Sequence, residues 1–229
     1  MLRLNKRLSE LGYGSRRACD RLISEGLVRV NGKPGLLGMM VTNHDDVEVL
    51  NRGPLFAQKT KKIVVIALNK PRGVITTADT KSTKTVFDLI SSDQRLFSIG
   101  RLDVDSSGLL LLTNDGDLAN HLTHPRYGHE KEYLVETKEI VSERDINRLQ
   151  KGIVLDGKKT APARVWRDGL KLRMCITEGR NRQIRRMMSS LRHRVTSLTR
   201  TRIANIELGN LAVGKWRALS VGEIAALKK

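Results

Sequence analysis

Gly100-Arg101-Leu102-Asp103 lies between the apolar approach Leu96-Phe97-Ser98-Ile99 and the run Leu109-Leu110-Leu111-Leu112, which puts one carboxylate at the edge of a core. A carboxylate there stays ionised only if a cation or hydrogen-bond donors offset its desolvation. Ionised, Asp103 could act as a nucleophile or a general base. The same stretch also fits an ordinary turn, because Asp103, Asp105 and Ser106-Ser107-Gly108 are loop formers and Asp103 would then cap the next segment. A second block, Glu178-Gly179-Arg180-Asn181-Arg182-Gln183-Ile184-Arg185-Arg186, is strongly basic in a chain of net charge +18. An isolated acid facing that much arginine points to chemistry on an anion.

The basic block carries its own pattern. Ile184, Met187, Met188 and Leu191 recur at helical spacing, and Arg182, Arg185 and Arg186 project from other faces, so a helix over Asn181 to Leu191 is expected with one side in a core. Asn181 is the expected N-cap, and the positive end of the helix dipole beside Arg180 and Arg182 favours a phosphate. No acidic residue lies between Gly179 and Ile206 to neutralise these arginines, which argues against a merely solvated face. Tyr133, one of only three tyrosines, follows Lys131 on an expected strand and either stacks on a base or packs in the core. His121, His124 and His129 stand near Asp115 and Asp117, but their spacing matches no common zinc pattern, and no metal site is expected. There is no phosphate loop ending in Gly-Lys-Ser/Thr and no Gly-x-Ser-x-Gly elbow, so kinase, NTPase and hydrolase readings lose support.

The elements that must position these groups follow from composition and periodicity. The 229 residues suffice for one good core and a small extra module. With 39% hydrophobic but only 3% aromatic residues, that core must be built from Leu, Ile, Val and Ala. Lys and Arg total 42 against 24 Asp and Glu, an excess that draws a polyanion through long-range attraction and counterion release. Nucleic acid is therefore the leading partner. Cys19 and Cys175 have no Cys-x-x-Cys spacing and read as reduced thiols of the cytoplasm. No apolar run approaches the roughly 18 residues of a membrane span, and Met1 to Lys6 reads as the start of a helix, so a soluble protein is expected.

Residues 1–50 form a self-contained pattern. Leu4, Leu8 and Leu11 mark a first helix that stops at Gly12, and Ser15 caps a second helix over Arg16 to Glu25. Val28-Arg29-Val30, the tight-turn pair Asn31-Gly32 and Val47-Glu48-Val49 give a small β element. Residues 51–62 lack core periodicity and read as a linker. From residue 63 to residue 229 strands are expected at Ile63 to Leu68, Gly108 to Thr113, Glu132 to Glu136, Ala163 to Trp166, Leu170 to Thr177 and Ala204 to Leu208. Helices are expected at Thr85 to Leu89, Asp117 to Leu122, Ser142 to Lys151 and Asn181 to Leu191. The fold class is α+β on a mostly antiparallel mixed sheet flanked by helices. Asn69-Lys70-Pro71-Arg72-Gly73 breaks the first strand into a basic, exposed turn.

Taken in register, these segments resemble the bacterial ribosomal-RNA pseudouridine synthases of the RsuA type over nearly the whole chain. Residues 1–50, with Leu4-Asn5-Lys6-Arg7-Leu8, Ser15-Arg16-Arg17-Ala18 and Val28 to Gly32, look like the S-four RNA-binding module. Asn69 to Gly73, Gly100 to Asp103, Ser107 to Gly116, Lys131-Glu132-Tyr133 and Glu178 to Met187 follow the catalytic domain. The resemblance implies conversion of uridine to pseudouridine in ribosomal RNA, or in a pre-ribosomal particle, without a cofactor; a monomer is expected because no seam for self-association stands out in the sequence. It makes Asp103 the nucleophile, lays Tyr133 against the uracil ring, pairs Arg185 with Asp103 and has Arg101 hold the target nucleotide out of its stack. On the RNA side, Lys6, Arg16, Arg17, Asn31, Lys70, Arg72, Arg180, Arg182 and Arg186 are the expected contacts. The rival classes are a non-catalytic RNA-binding ribosome-assembly factor that keeps the fold and a different base-modifying enzyme, which would need a cofactor or metal motif.

Overall fold

The computed structural model describes residues 1–51, 63–78, 84–92 and 94–228. It divides into two compact units, Met1–Lys62 and Ile63–Lys229. The expected linker at residues 51–62 lies, apart from Asn51, outside the described residues.

In the first unit helices Leu4–Glu10 and Arg16–Ser24 pack over a three-stranded sheet in which Val28–Val30 pairs with both Lys33–Pro34 and Val47–Val49. Leu4, Leu8, Cys19, Ile23, Val28, Val30 and Val49 form its core. The second helix starts where expected, because the Ser15 hydroxyl accepts the Ala18 N–H at 3.1 Å, a cap worth about 1 kcal/mol. The first starts later than expected. Leu2–Arg3 is extended and pairs with Met40–Val41, so the helix begins only at Leu4. Asn31 and Gly32 both take positive φ, 50° and 76°, which makes the hairpin turn their sequence signals.

The second unit is built on a nine-stranded sheet. Its strand order is Arg164–Asp168, Lys171–Ile176, Lys131–Thr137, Val195–Ile203, Ser107–Thr113, Val65–Lys70 and Trp216–Ala218, with Ile206–Glu207 and Phe97–Ile99 paired at the side. All pairings are antiparallel except the one between Ser107–Thr113 and Val195–Ile203. The leucine run shows why the sheet needs helices on both faces. Leu110 and Leu112 join one buried cluster with Ile184, Met187 and Leu149, while Leu109 and Leu111 join another with Leu118, Leu122 and Leu227. Covered on both sides, that strand is apolar throughout instead of alternating, and each buried leucine contributes about 2 kcal/mol. Helices Glu143–Lys151 and Gln183–Ser190 serve the first cluster, and Gly116–Thr123 and Val221–Leu227 the second.

The principal departure from the sequence expectation is the nine-residue strand Val195–Ile203 in the middle of the sheet. The strand expected at Ala204 to Leu208 begins only after this one ends, and Ile206–Glu207 is the part of it that is extended. The strand reads as polar because an inward position is held by Arg200, which is 2% exposed. Its parallel neighbour must carry a glycine: a Cβ on Gly108 would come within 2.3 Å of the Arg200 carbonyl oxygen, and Gly108 has φ +99°. A smaller departure concerns the basic helix. Its N-cap is Arg182 in the left-handed region with no side-chain cap, so Asn181 does not cap it.

Candidate active site

Asp103 sits on the loop from Gly100 to Ser107, between the strands Phe97–Ile99 and Ser107–Thr113. Gly100, at φ +70°, turns the chain out of the first strand. The loop then runs with every backbone carbonyl from Arg101 to Ser106 accepting a hydrogen bond. Arg200 Nη1 donates to the Arg101 carbonyl at 3.3 Å, Thr76 Oγ1 to that of Leu102 at 2.9 Å, and the Gly73 N–H to that of Val104 at 2.7 Å. The Ser106 N–H reaches the Asp103 carbonyl at 3.1 Å, Arg185 Nη2 that of Asp105 at 3.0 Å, and Lys70 Nζ that of Ser106 at 2.8 Å. A loop whose acceptors are all taken cannot shift its backbone cheaply, so the position of the Asp103 Cα is fixed by the fold.

Two buried cations carry much of that clamp. Lys70 is fully buried, and its ammonium also donates to the Pro71 carbonyl at 2.9 Å. Burial pushes its pKa down to about 8, against the opposing pull of Asp103 and Asp105. Lys70 was expected on an exposed turn meeting phosphate; instead its amine faces the loop, because the strand continues through residue 70 and points it inward. Arg200 donates Nε–H to the Leu109 carbonyl at 2.6 Å and Nη1–H to the Tyr133 hydroxyl at 3.4 Å, and its Nη2 is buried without a partner. Tyr133 is itself 8% exposed, within the core cluster. Arg200 thus ties both ends of the Asp103 loop to the Tyr133 ring.

The acids and arginines do not pair as the resemblance implied. Arg182 makes a two-pronged contact with Asp105, at 3.0 and 2.9 Å, and lies 3.6 Å from the Asp103 carboxylate. Arg185 points its Nε to Asp105 at 3.3 Å, with further bonds to the Val195 carbonyl and the Ser106 hydroxyl at 3.3 and 3.4 Å. The expected ion pair between Asp103 and Arg185 is therefore replaced by Asp103 with Arg182 and Asp105 with both arginines. Asp105 is close enough to both guanidinium groups to capture them, and the Arg182 hydrogen bond holds its carboxyl below the ordinary value. Burial in turn pulls the Arg185 guanidinium down, opposed by Asp105.

The remaining arginines of the block also have acidic partners, one within the block and one from elsewhere in the chain. Arg180 pairs with Glu178 at 3.2 Å and donates to the carbonyls of Lys158 and Lys159. Arg186 pairs with Asp156. The absence of acids in the local sequence did not predict their absence in space. Arg101 and Arg72 are exposed. In the first unit Arg16 and Arg17 are exposed and Lys6 faces Glu10 at 3.7 Å. Asn31 spends its side chain on the fold: its amide donates to Asp45 at 2.7 Å and its oxygen accepts the Asp46 N–H at 2.9 Å. His121, Tyr127 and His129 pack ring against ring. Sequence reasoning missed Arg200, Asp105 and Thr76 as parts of the site; the one signal for Arg200 is its two-residue spacing from the buried Leu198, which puts both on one face of a strand.

A clamped acidic loop beside a tyrosine and paired arginines, on a mixed sheet with a separate small basic module, defines an RNA-modifying enzyme of the pseudouridine synthase class. The family model described as RNA pseudouridylate synthase matches residues 64–190, and that of the S4 domain matches residues 2–47. The chain belongs to the RNA pseudouridylate synthase family, in its RsuA-type group. It is 39% identical to the dual-specificity RNA pseudouridine synthase RluF of Escherichia coli strain K12, over 100% of this chain and 79% of that protein. To the ribosomal large subunit pseudouridine synthase B of Bacillus subtilis strain 168 it is 41% identical, covering 100% of this chain and 96% of the relative. A crystal structure of a pseudouridylate synthase superposes with a TM-score of 0.73 at 30% identity, covering 99% of this chain and 100% of that one.

Proposed function

We propose that the protein isomerises a uridine of ribosomal RNA to pseudouridine, with Asp103 as the nucleophile. The carrying observation is the Asp103 loop, whose carbonyls from Arg101 to Ser106 are all bound, so that its backbone is held, with the Asp103 carboxylate 3.6 Å from Arg182 and the loop tied to Tyr133 through Arg200. An ionised carboxylate suits addition to the nucleoside. Asp103 forms a transient bond to the nucleoside and the bond between the ribose and the ring nitrogen breaks; the ring turns, a bond from the ribose to carbon 5 forms and the Asp103 bond is broken again, the hydrogen of carbon 5 leaves as a proton and the freed ring nitrogen takes one up. Nothing is oxidised or reduced, so the step calls on no cofactor. The target base must leave its stack, at a cost of a few kcal/mol that phosphate contacts to a basic protein offset. Tyr133 lies against the uracil ring, Arg101 holds the strand from which the base has left, and Arg182 stands beside both acids while Arg185 pairs with Asp105. Residues 1–50 supply a second RNA contact through Lys6, Arg16 and Arg17. The protein works where ribosomes are made, in the cytoplasm.

The test is release of tritium from carbon-5-labelled uridine in ribosomal RNA. Asp103→Asn is expected to abolish release, a loss on the order of ten-thousandfold or more in rate, while leaving RNA affinity within about threefold because the fold and the basic surface are unchanged. Release at the wild-type rate in that variant would overturn the nucleophile assignment. No release from wild-type protein with tight RNA binding would leave the non-catalytic assembly factor.

A further inference from the structure

The arginines nearest the acids are spent inside the protein, yet a cavity of about 450 Å³ beside them is lined by cations that are not. Its walls are Arg72, Asp105, Lys138, Arg185, Arg194 and the backbone stretch at Val195 and Thr196. Lys138 and Arg194 come from the facing ends of strands Lys131–Thr137 and Val195–Ile203, where the Lys138 N–H donates to the Arg194 carbonyl at 3.1 Å. Both side chains are exposed, as is Arg72. Among the described residues none of the three makes an ion pair, whereas Arg182 and Arg185 are both held by Asp105. The single carboxylate in the cavity is therefore already matched. Arg72 adds to the discomfort, since its charge lowers the pKa of Arg185. Four cations around one satisfied acid form a positively charged hollow, and a hollow of that sign focuses the field on an incoming anion.

We infer that this cavity is a subsite for a backbone phosphate of the RNA strand, one nucleotide or more away from the target uridine, with Lys138 and Arg194 as its principal contacts. Residues 138 and 194 are not among the positions that the sequence pattern singled out. The inference rests on the proposed function only for the identity of the nucleic acid. The cavity is open enough for a diester, and cations on flexible exposed stems at its mouth suit a phosphate better than a base, which would need an aromatic face. Asp105 gives the subsite a link to the chemistry: an anion seated against Arg185 competes with Asp105 for it, so occupancy of the subsite and the pairing of the acids are coupled.

The experiment uses the full-length protein and a ribosomal-RNA stem-loop containing the target uridine. Lys138→Ala with Arg194→Ala is expected to weaken binding roughly five- to tenfold near physiological salt and to lower the slope of log affinity against log salt by about 1. Stem-loops with one neutral methylphosphonate linkage at each position near the target then locate the phosphate. One linkage should weaken wild-type binding while adding little to the loss in the double variant. An unchanged salt slope, or effects that simply add at every linkage, overturns the subsite. Absence of pseudouridine from the wild-type reaction would overturn the proposed function and leave the binding result standing, because the slope and the linkage scan do not depend on turnover.

Discussion

The two units use positive charge in opposite ways. In Met1–Lys62 the basic side chains of the second helix stand on the surface: Arg16 touches only the Asn5 side chain, at 3.5 Å, and Arg17 is exposed. In Ile63–Lys229 the conspicuous arginines are folded into the architecture. Arg180, Arg182, Arg185, Arg186 and Arg202 all meet carboxylates, and Arg200 and Lys70 are buried against carbonyls. A surface cation offers affinity that salt can screen. A buried cation bonded to carbonyls fixes geometry and is nearly indifferent to salt. On the proposed function the same excess of charge would serve recruitment in one unit and preorganisation in the other, with exposed groups such as Arg72, Lys138 and Arg194 adding recruitment to the second unit.

The sharpest way to break this comparison is to remove the deepest cation. Lys70→Met leaves the Pro71 and Ser106 carbonyls without their donor, at about 1–3 kcal/mol each, offset in part by relief of a desolvated charge. A net loss of about 2 kcal/mol by denaturant unfolding at pH 7 is expected, with the single-turnover rate falling roughly a hundredfold as the Asp103 loop shifts and RNA affinity unchanged. The pH dependence supplies a sign. The folded pKa near 8 lies below the ordinary lysine value of 10.5, so between those limits the unfolded chain holds the proton that the folded one has released. Wild-type stability relative to Lys70→Met is thus expected to rise as pH increases from 8 to 10.5, by roughly 3 kcal/mol. A loss of affinity with an unaltered rate would make Lys70 a recruiting residue after all.

The legible part of the molecule was the part held by local pattern. Ser15 caps its helix as its sequence position indicates, and the leucine run forms the strand expected of it. The class of fold and the loop carrying Asp103 followed from such signals. Illegible were pairings between distant segments. Arg200 hides a central strand because its charge is satisfied by carbonyls at Arg101 and Leu109, about ninety residues away. The arginine block looked unneutralised because Asp105, Asp156 and the 158–159 carbonyls lie far from it in sequence. Periodicity reports which face a residue occupies, and it is silent on which of two nearby acids a guanidinium will choose.

That choice gives the intermediate prediction. Asp105→Asn frees Arg182 and Arg185 for Asp103 and removes the negative charge from the cation-lined cavity. RNA affinity is expected to rise about threefold, with a steeper salt slope, while the single-turnover rate changes by roughly tenfold or less. The pair is partly exposed, so the stability cost is about 1 kcal/mol or less. Its pH course has the carboxylate sign: the folded pKa is lowered, so the contribution is present above the ordinary carboxylate value of 3.8 and disappears as pH falls through the lower folded value. Wild type should lose its advantage over Asp105→Asn in that acid range, measured by thermal unfolding. An affinity that falls in this variant would mean that Asp105 orders the cavity for RNA instead of occupying its cations.

The smallest effect belongs to the first unit. Arg16→Ala with Arg17→Ala removes two exposed charges from a helix whose buried face is Cys19 and Ile23 and whose start is set by Ser15. Nothing in the core or the cap depends on them, so stability should stay within about 0.5 kcal/mol. RNA affinity should fall about threefold near physiological salt and more at low salt, with the slope of log affinity against log salt reduced by about 1. The rate at saturating RNA should not move. This pattern is the inverse of that expected for Lys70→Met, and the two variants together test whether exposure alone separates recruiting cations from organising ones. A slower saturated rate in the arginine variant would show that the small module does more than gather RNA, because its surface charges would then reach the chemical step.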